Sequence, residues 1–246
     1  MRLRYWLTWK RSARRLHSMT ASGLPVLSTQ EERKKRAAKL LAYLKKAYPE
    51  PKTELHYKTQ IQLVIAVMLS AQCTDKKVNE VTKTLYKKYK TPDDFANADW
   101  DTLTEETRGI TFHRTKTKHV IAMAKMVRDE FGGKIPKTEA ELVRLPGVAY
   151  KSAHVILGEL HNVWEGIPTD THVRRFALRF DLTEKTELTK ISKDLEALIP
   201  KKDWKFVNNG FVLYGRYVCK AIPHPCEDHP LTKIWPPAAK RWPKAK

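Results

Sequence analysis

Lys151 and Asp170 stand nineteen residues apart, each where a stretch of helical periodicity begins. Brought to one place, an amine and a carboxylate make a nucleophile together with a group that takes its proton or steadies its positive charge. An amine at the reference pKa of about 10.4 is mostly protonated at neutral pH, so such a lysine needs desolvation, nearby cations or a base. Taken singly, Asp170 reads as a helix N-cap and Lys151 as a solvated cation.

The residues ahead of Lys151 carry a second kind of chemistry. Thr138 and Glu141 have capping-box spacing on a short helix, which stops at Leu145-Pro146-Gly147-Val148, and a second helix begins near Tyr150. The pattern over 138–161 is helix, tight turn, helix. A glycine-containing turn that feeds a helix start exposes backbone N–H groups at a positive dipole end, which suits it to grip a phosphate without reading sequence. An ordinary helical hairpin is the alternative.

The elements that must position these groups are helical. Ser28 and Thr29 stand three residues before Glu31 and Glu32, and Leu40, Leu41, Leu44, Ala47 and Tyr48 then share one face, which predicts a helix over Gln30–Tyr48. The segment Thr59–Ser70 is apolar nearly all round and predicts a buried helix. Further helices are expected at Asp75–Tyr89, Pro92–Ala98, Asp101–Thr107, Thr115–Phe131, Thr138–Arg144, Tyr150–His161, Thr171–Phe180, Glu187–Leu198 and Asp203–Lys220. No segment keeps strict alternation, so the fold class is all-α.

Composition limits the partner. Among 246 residues, 47 Lys+Arg against 27 Asp+Glu leave a net charge of +20, which favours a polyanion: nucleic acid first, an anionic membrane surface second. The longest apolar run, Leu63–Leu69, falls far short of the roughly 20 residues that cross a bilayer. Three cysteines, Cys73, Cys219 and Cys226, are too few for a disulfide scaffold and fit a reducing, intracellular compartment. Residues 1–29 form a basic arm with six Lys/Arg and no acid, a composition shared by organellar transit peptides and by DNA-binding tails; Met19 is an alternative start. The stretch from Lys233 to Lys246, with five basic residues, prolines, two tryptophans and no acid, reads as a solvated tail.

Several segments carry a family resemblance. LPGVAYKSAHVIL followed by GIPTDTHVRR resembles the helix-hairpin-helix/Gly-Pro-Asp superfamily of DNA glycosylases, and specifically endonuclease III. Thr53–Asp75, TELHYKTQIQLVIAVMLSAQCTD, is similar to that family's TEL…IAVLLSAQ-x-TD pattern, and Tyr214–Cys219 to its HGRYxC segment. The resemblance spans about Arg33 to Cys226. It implies a six-helix barrel over 53–164 containing the hairpin 138–161, and a second helical domain from 30–52 and 165–225, with residues 226–246 as a basic tail. DNA would lie across the cleft between the two domains.

The same resemblance assigns chemistry. A damaged base must leave the stack before it is attacked. Gln72 matches the residue that enters the vacated space, with a buried helix-capping amide as the alternative; the apolar wedge aligns with Phe112, or alternatively Ile110. Leu145, Gly147, Ala149, Tyr150 and Ser152 of the hairpin, and His172, fall at DNA-facing positions. Lys151 matches the nucleophile that expels the base and forms a Schiff base, with Asp170 as its partner carboxylate. The expected activity is that of a bifunctional DNA glycosylase/AP lyase acting on oxidised pyrimidines in duplex DNA, as a monomer, in base excision repair. Its setting is the nucleoid, or the mitochondrion or nucleus if residues 1–29 are a targeting segment. A glycosylase for mismatches or uracil, and a non-catalytic helix-hairpin-helix DNA-binding protein, are the alternatives.

Three departures bear on the resemblance. Ala149 replaces the second hairpin glycine, where a methyl group is costly if the position needs φ > 0. The loop before Asp170 is one residue longer than in enterobacterial members. The family's C-x6-C-x2-C-x5-C set, which holds a [4Fe–4S] cluster, keeps only Cys219 and Cys226, with His229 and Trp235 at the other two positions. No cluster is expected. Free thiols, with the loop held by Tyr214, Tyr217 and Trp235, are the first expectation; a zinc site of Cys219, Cys226 and His229, with His224 nearby, is the other.

Overall fold

The computed structural model describes residues 28–243; the basic arm, apart from Ser28 and Thr29, lies outside the described residues. The described residues form twelve α-helices and two 3-10 turns, with no strand among them. The helices are α1 Gln30–Ala47, α2 Gln60–Leu69, α3 Asp75–Lys88, α4 Pro92–Ala96, α5 Trp100–Glu106, α6 His113–Glu130, α7 Glu139–Leu142, α8 Tyr150–His161, α9 Thr171–Arg179, α10 Leu188–Leu198, α11 Lys205–Tyr217 and α12 Pro230–Ile234.

Side chains punctuate the starts. Thr29, Thr59, Thr74, Thr91 and Thr138 each accept the N–H three residues on, and Thr29 and Thr59 close full capping boxes with Glu32 and Gln62. Asp99 caps α5, so that helix begins at Trp100, one residue ahead of the expected start.

Two apolar cores result. In α2 every residue after Gln60 is buried, and α3, α6 and α8 pack around it while α4 and α5 lean on α6; these six helices form the barrel, and α7 with α8 forms the hairpin. The second core joins α1 to α9, α10, α11 and α12 through Leu40, Leu44, Phe176, Leu195, Phe211 and Leu231.

This second core extends past residue 225. Cys226, Leu231 and Ala238 are buried in it, and Trp235 covers Arg36 at 4.3 Å, so the segment Pro230–Lys240 is folded where a solvated tail was expected. The reason is apolar content spread among lysines: Leu231, Ile234, Trp235 and Ala238 fall on one side. Tyr214 anchors the segment, its hydroxyl accepting the Leu231 N–H at 3.2 Å. Tyr217, expected to help, is instead among the most exposed aromatic residues and bonds Glu54.

Across the cleft the two units are tied by polar contacts. Asn209 on α11 donates to the Glu159 carboxylate on α8 at 2.8 Å, and within its own unit to the Pro51 carbonyl at 2.9 Å. Arg216 pairs with Asp75 at 2.7 Å and with Glu54.

Candidate active site

The mouth of the cleft is assembled from helix starts. Lys151 lies in the first turn of α8, immediately after the hairpin turn, and Asp170 is the N-cap of α9. Both line one cavity, which Ser70 and Asp75 join from the barrel and Asn208 and Arg216 from α11.

Asp170 does the capping work expected of its position. Its Oδ1 accepts the N–H groups of His172 at 2.8 Å and Val173 at 2.9 Å, which fixes the carboxylate at the helix start. Among the described residues Lys151 forms no ion pair, so its ammonium is not locked to Asp170. His172 is half-buried beside them. Desolvation pushes its imidazole below the ordinary histidine range, against the pull of Asp170, and Arg175 reaches its Nδ1 at 3.4 Å.

The hairpin turn is set by Gly147. Its φ of +82° belongs to the left-handed region, and a Cβ there would meet Met68 Cε at 2.7 Å and His119 Cβ at 2.9 Å, so glycine is required on both counts. Ala149 is different. It has φ −88° and ψ 166°, ordinary extended backbone, so the methyl group that looked costly in the sequence carries no conformational penalty. No side chain caps α8, and its first-turn N–H groups are open to an anion. Tyr150 and Ser152 flank this opening, with the Tyr150 ring packed on His154 at 4.3 Å, and the His154 Nε2 meets Glu139 at 2.7 Å to brace the two hairpin arms. Leu145 departs from expectation: it is 1% exposed and belongs to the barrel core, so its side chain is not a DNA contact.

Two exposed side chains, Gln72 and Phe112, are in left-handed backbone. Gln72 has φ +54° and Phe112 φ +57°, a conformation that costs a non-glycine residue roughly 1–2 kcal/mol. Phe112 is 63% exposed, whereas Ile110 is buried in the barrel core. Gln72 is exposed rather than a buried capping amide. Lys116, on α6 just past Phe112, donates to the carbonyls of Leu69 at 2.8 Å and Ala71 at 2.5 Å and so ties down the loop that carries Gln72. Burial pushes its ammonium below the usual lysine range.

The arrangement has known counterparts. Residues 65–201 match the HhH-GPD superfamily of base excision DNA repair proteins. The chain is 37% identical over 213 residues to the endonuclease III of Synechocystis sp., an alignment covering 87% of this chain and 97% of that protein. The chain belongs to the endonuclease III family. It is a DNA glycosylase and AP lyase of base excision repair, and its partner is duplex DNA with damaged bases. Endonuclease III of Bacillus subtilis is likewise 37% identical, over 195 residues, covering 79% of this chain and 89% of that protein. In three dimensions the chain superposes on a trapped covalent endonuclease III–DNA intermediate with a TM-score of 0.78 at 34% identity, covering 84% of this chain and 97% of that one. No helix among the described residues is long and apolar enough to cross a membrane.

Several residues of the cavity and its supports carry no mark in the sequence. Ser70 and Asp75 were inside the quoted LSAQCTD segment and Arg216 inside YGRYVC, yet neither spacing nor charge marked them as cavity residues. Asn208, which donates to the Pro168 carbonyl at 2.8 Å, and Lys116 left no signal at all.

At the C-terminal loop the geometry bears on the family's cluster. The Arg179 guanidinium, with no exposed surface, lies between the two thiols: Nη1 donates to Cys219 Sγ at 2.9 Å and Nη2 to Cys226 Sγ at 3.0 Å. It also donates to the Ala238 carbonyl at 2.8 Å and stacks on Trp242 at 3.8 Å. The space beside these sulfurs holds an arginine, and His229 and Trp235 supply no thiolate. These residues do not fit a [4Fe–4S] cluster.

Proposed function

We propose that this enzyme removes oxidised pyrimidines from duplex DNA with Lys151 as nucleophile and Asp170 as its partner carboxylate. One observation carries the reading: two helices on opposite sides of the cleft, α8 and α9, deliver these two groups to a single cavity. The Lys151 amine gives its electron pair to the sugar C1′, and the base departs with the electrons of the glycosidic bond and takes a proton. The attached nitrogen passes its extra proton to O4′ as its electron pair opens the sugar ring at C1′–O4′, which leaves a hydroxyl there and an iminium at C1′. That iminium acidifies C2′; loss of a C2′ proton breaks the C3′–O bond and cuts the strand, and water releases Lys151 as the free amine. Asp170 receives the ammonium proton before attack, gives it to the departing base, and as a carboxylate again faces the positive charge afterwards. Gln72 and Phe112 fill the space the nucleotide leaves, the open N–H groups after Gly147 hold a backbone phosphate, and Tyr150, Ser152 and His172 border the strand.

The enzyme works without an iron–sulfur cluster on this reading. What supports it is the guanidinium of Arg179 seated against both remaining cysteines, with Trp242 and Ala238 closing the far side. A cation there satisfies the sulfurs that a cluster would use.

The substrate class is tested by borohydride trapping on duplexes containing thymine glycol, uracil, 8-oxoguanine or an abasic site. Trapping on thymine glycol and on the abasic site, with little on uracil or 8-oxoguanine, is the expected pattern. Preferential trapping on uracil or 8-oxoguanine would overturn the assignment to oxidised pyrimidines.

A further inference from the structure

The loop between α11 and α12 carries donors that the reaction does not use. Cys219, His224 and His229 are spaced C-x4-H-x4-H, so that one stands at each end of the loop and one at its middle. One ligand atom from each lies within 4.8 Å of the other two. These three converge; Cys226, named with Cys219 and His229 in the sequence, is not among them and accepts from the second guanidinium nitrogen of Arg179.

The nitrogen chemistry points the same way. His224 Nδ1 lies 2.7 Å from the Ile222 carbonyl, and a carbonyl only accepts, so Nδ1 carries the ring proton and Nε2 keeps its lone pair. A backbone carbonyl holding Nδ1–H while Nε2 faces outward is the arrangement that orients metal-bound histidines. His229 Nδ1 is buried with no hydrogen-bond partner, an orphaned polar atom that a cation would satisfy. The two rings are 5.2 Å apart. Arg179 Nη1 already donates to Cys219 Sγ, as an outer N–H donor does to a coordinated thiolate, and the carboxylates of Glu227 and Asp228 lie near His229 to offset the added charge.

We propose that Cys219, His224 and His229 bind one zinc(II) ion, with water in the fourth position. One thiolate and two imidazoles suit zinc, and binding releases the thiol proton. Bonds of about 2.0–2.3 Å at tetrahedral angles need donors roughly 3.4–3.7 Å apart, so side-chain rotations of about an ångström close the set. The ion ties the two ends of a proline-rich loop. It also steadies the Cys219 carbonyl, which accepts from Arg175 at 2.7 Å, and Arg175 is the residue that reaches His172 at the cleft. The proposal does not depend on the roles given to Lys151 and Asp170.

The full-length protein, purified without chelators, is analysed for bound metals, then stripped and reloaded with zinc or cobalt(II). About one zinc per chain is expected in the parent and in Cys226→Ser, falling at least about tenfold in Cys219→Ser and in His224→Ala. His224 is half-exposed, so its alanine variant keeps its helical circular dichroism and separates ligand loss from unfolding. The cobalt derivative is expected to show a thiolate-to-metal charge-transfer band that disappears in Cys219→Ser and persists in Cys226→Ser. A folded parent that neither retains zinc nor gives that band would overturn the proposal. So would equal loss of metal in Cys226→Ser, or stoichiometric iron.

Discussion

Lys116 donates its ammonium to the carbonyl of Ala71 at 2.5 Å, joining the loop that carries Gln72 to the helix that starts behind Phe112. The two residues proposed to occupy the space of an extruded nucleotide are both in left-handed backbone, and one buried cation connects their supports. Strain of this kind persists only where its surroundings enforce it.

Lys116→Met should therefore loosen Gln72. Leaving the Leu69 and Ala71 carbonyls without their donor costs about 1–3 kcal/mol in stability. Affinity for duplexes with a damaged base should fall roughly tenfold, while trapping on a saturating abasic duplex should change little. Lys116→Arg should recover part of the loss. Unchanged lesion affinity in a folded Lys116→Met protein would show that the anchoring does not matter for DNA.

Phe112 and Ile110 separate a wedge from a core residue. Phe112→Ala should leave stability within about 0.5 kcal/mol, because the ring is mostly exposed, yet weaken lesion binding tenfold or more. Ile110→Ala should cost about 2–5 kcal/mol by opening a hole in the barrel. Chemical denaturation and a binding titration on the same pair of variants give the answer, and the opposite pattern would move the wedge to Ile110.

The termini should behave differently from each other. Deleting residues 1–27 removes six Lys/Arg and should make the dependence of non-specific binding on log salt shallower without altering lesion choice. Deleting Lys233–Lys246 removes buried Ala238 and the Trp242 ring on Arg179, so it should destabilise the second core. An unaltered salt slope after the first deletion would mean that the arm does not touch DNA.

Legibility in the sequence followed the physics of each element. Helix starts were readable where Thr29 and Thr138 announce themselves by spacing to Glu32 and Glu141, and the buried α2 by its unbroken apolar run. Lys151 and Asp170 were readable as chemistry once the hairpin placed them at two helix starts. Arg179 and Lys116 were not, since a long cation among other cations reads as solvated surface until tertiary packing buries its stem and head. Ala149 was not legible because a glycine pattern alone does not say which of its positions needs φ > 0; within this hairpin turn it is Gly147 and not residue 149. The C-terminal segment misled because its charge masked Leu231, Ile234 and Trp235.

The central claim is that the Lys151 amine attacks C1′, and borohydride trapping of Lys151→Gln on an abasic duplex tests it most directly. The amide fills similar space but forms no imine, so the account predicts no trapped adduct and no strand cleavage, with binding to damaged duplex retained. Asp170→Asn, which keeps an N-cap, should still bind DNA while base removal slows by about 10²-fold or more. A trapped adduct at parent levels in Lys151→Gln would contradict the account and move the nucleophile to another amine.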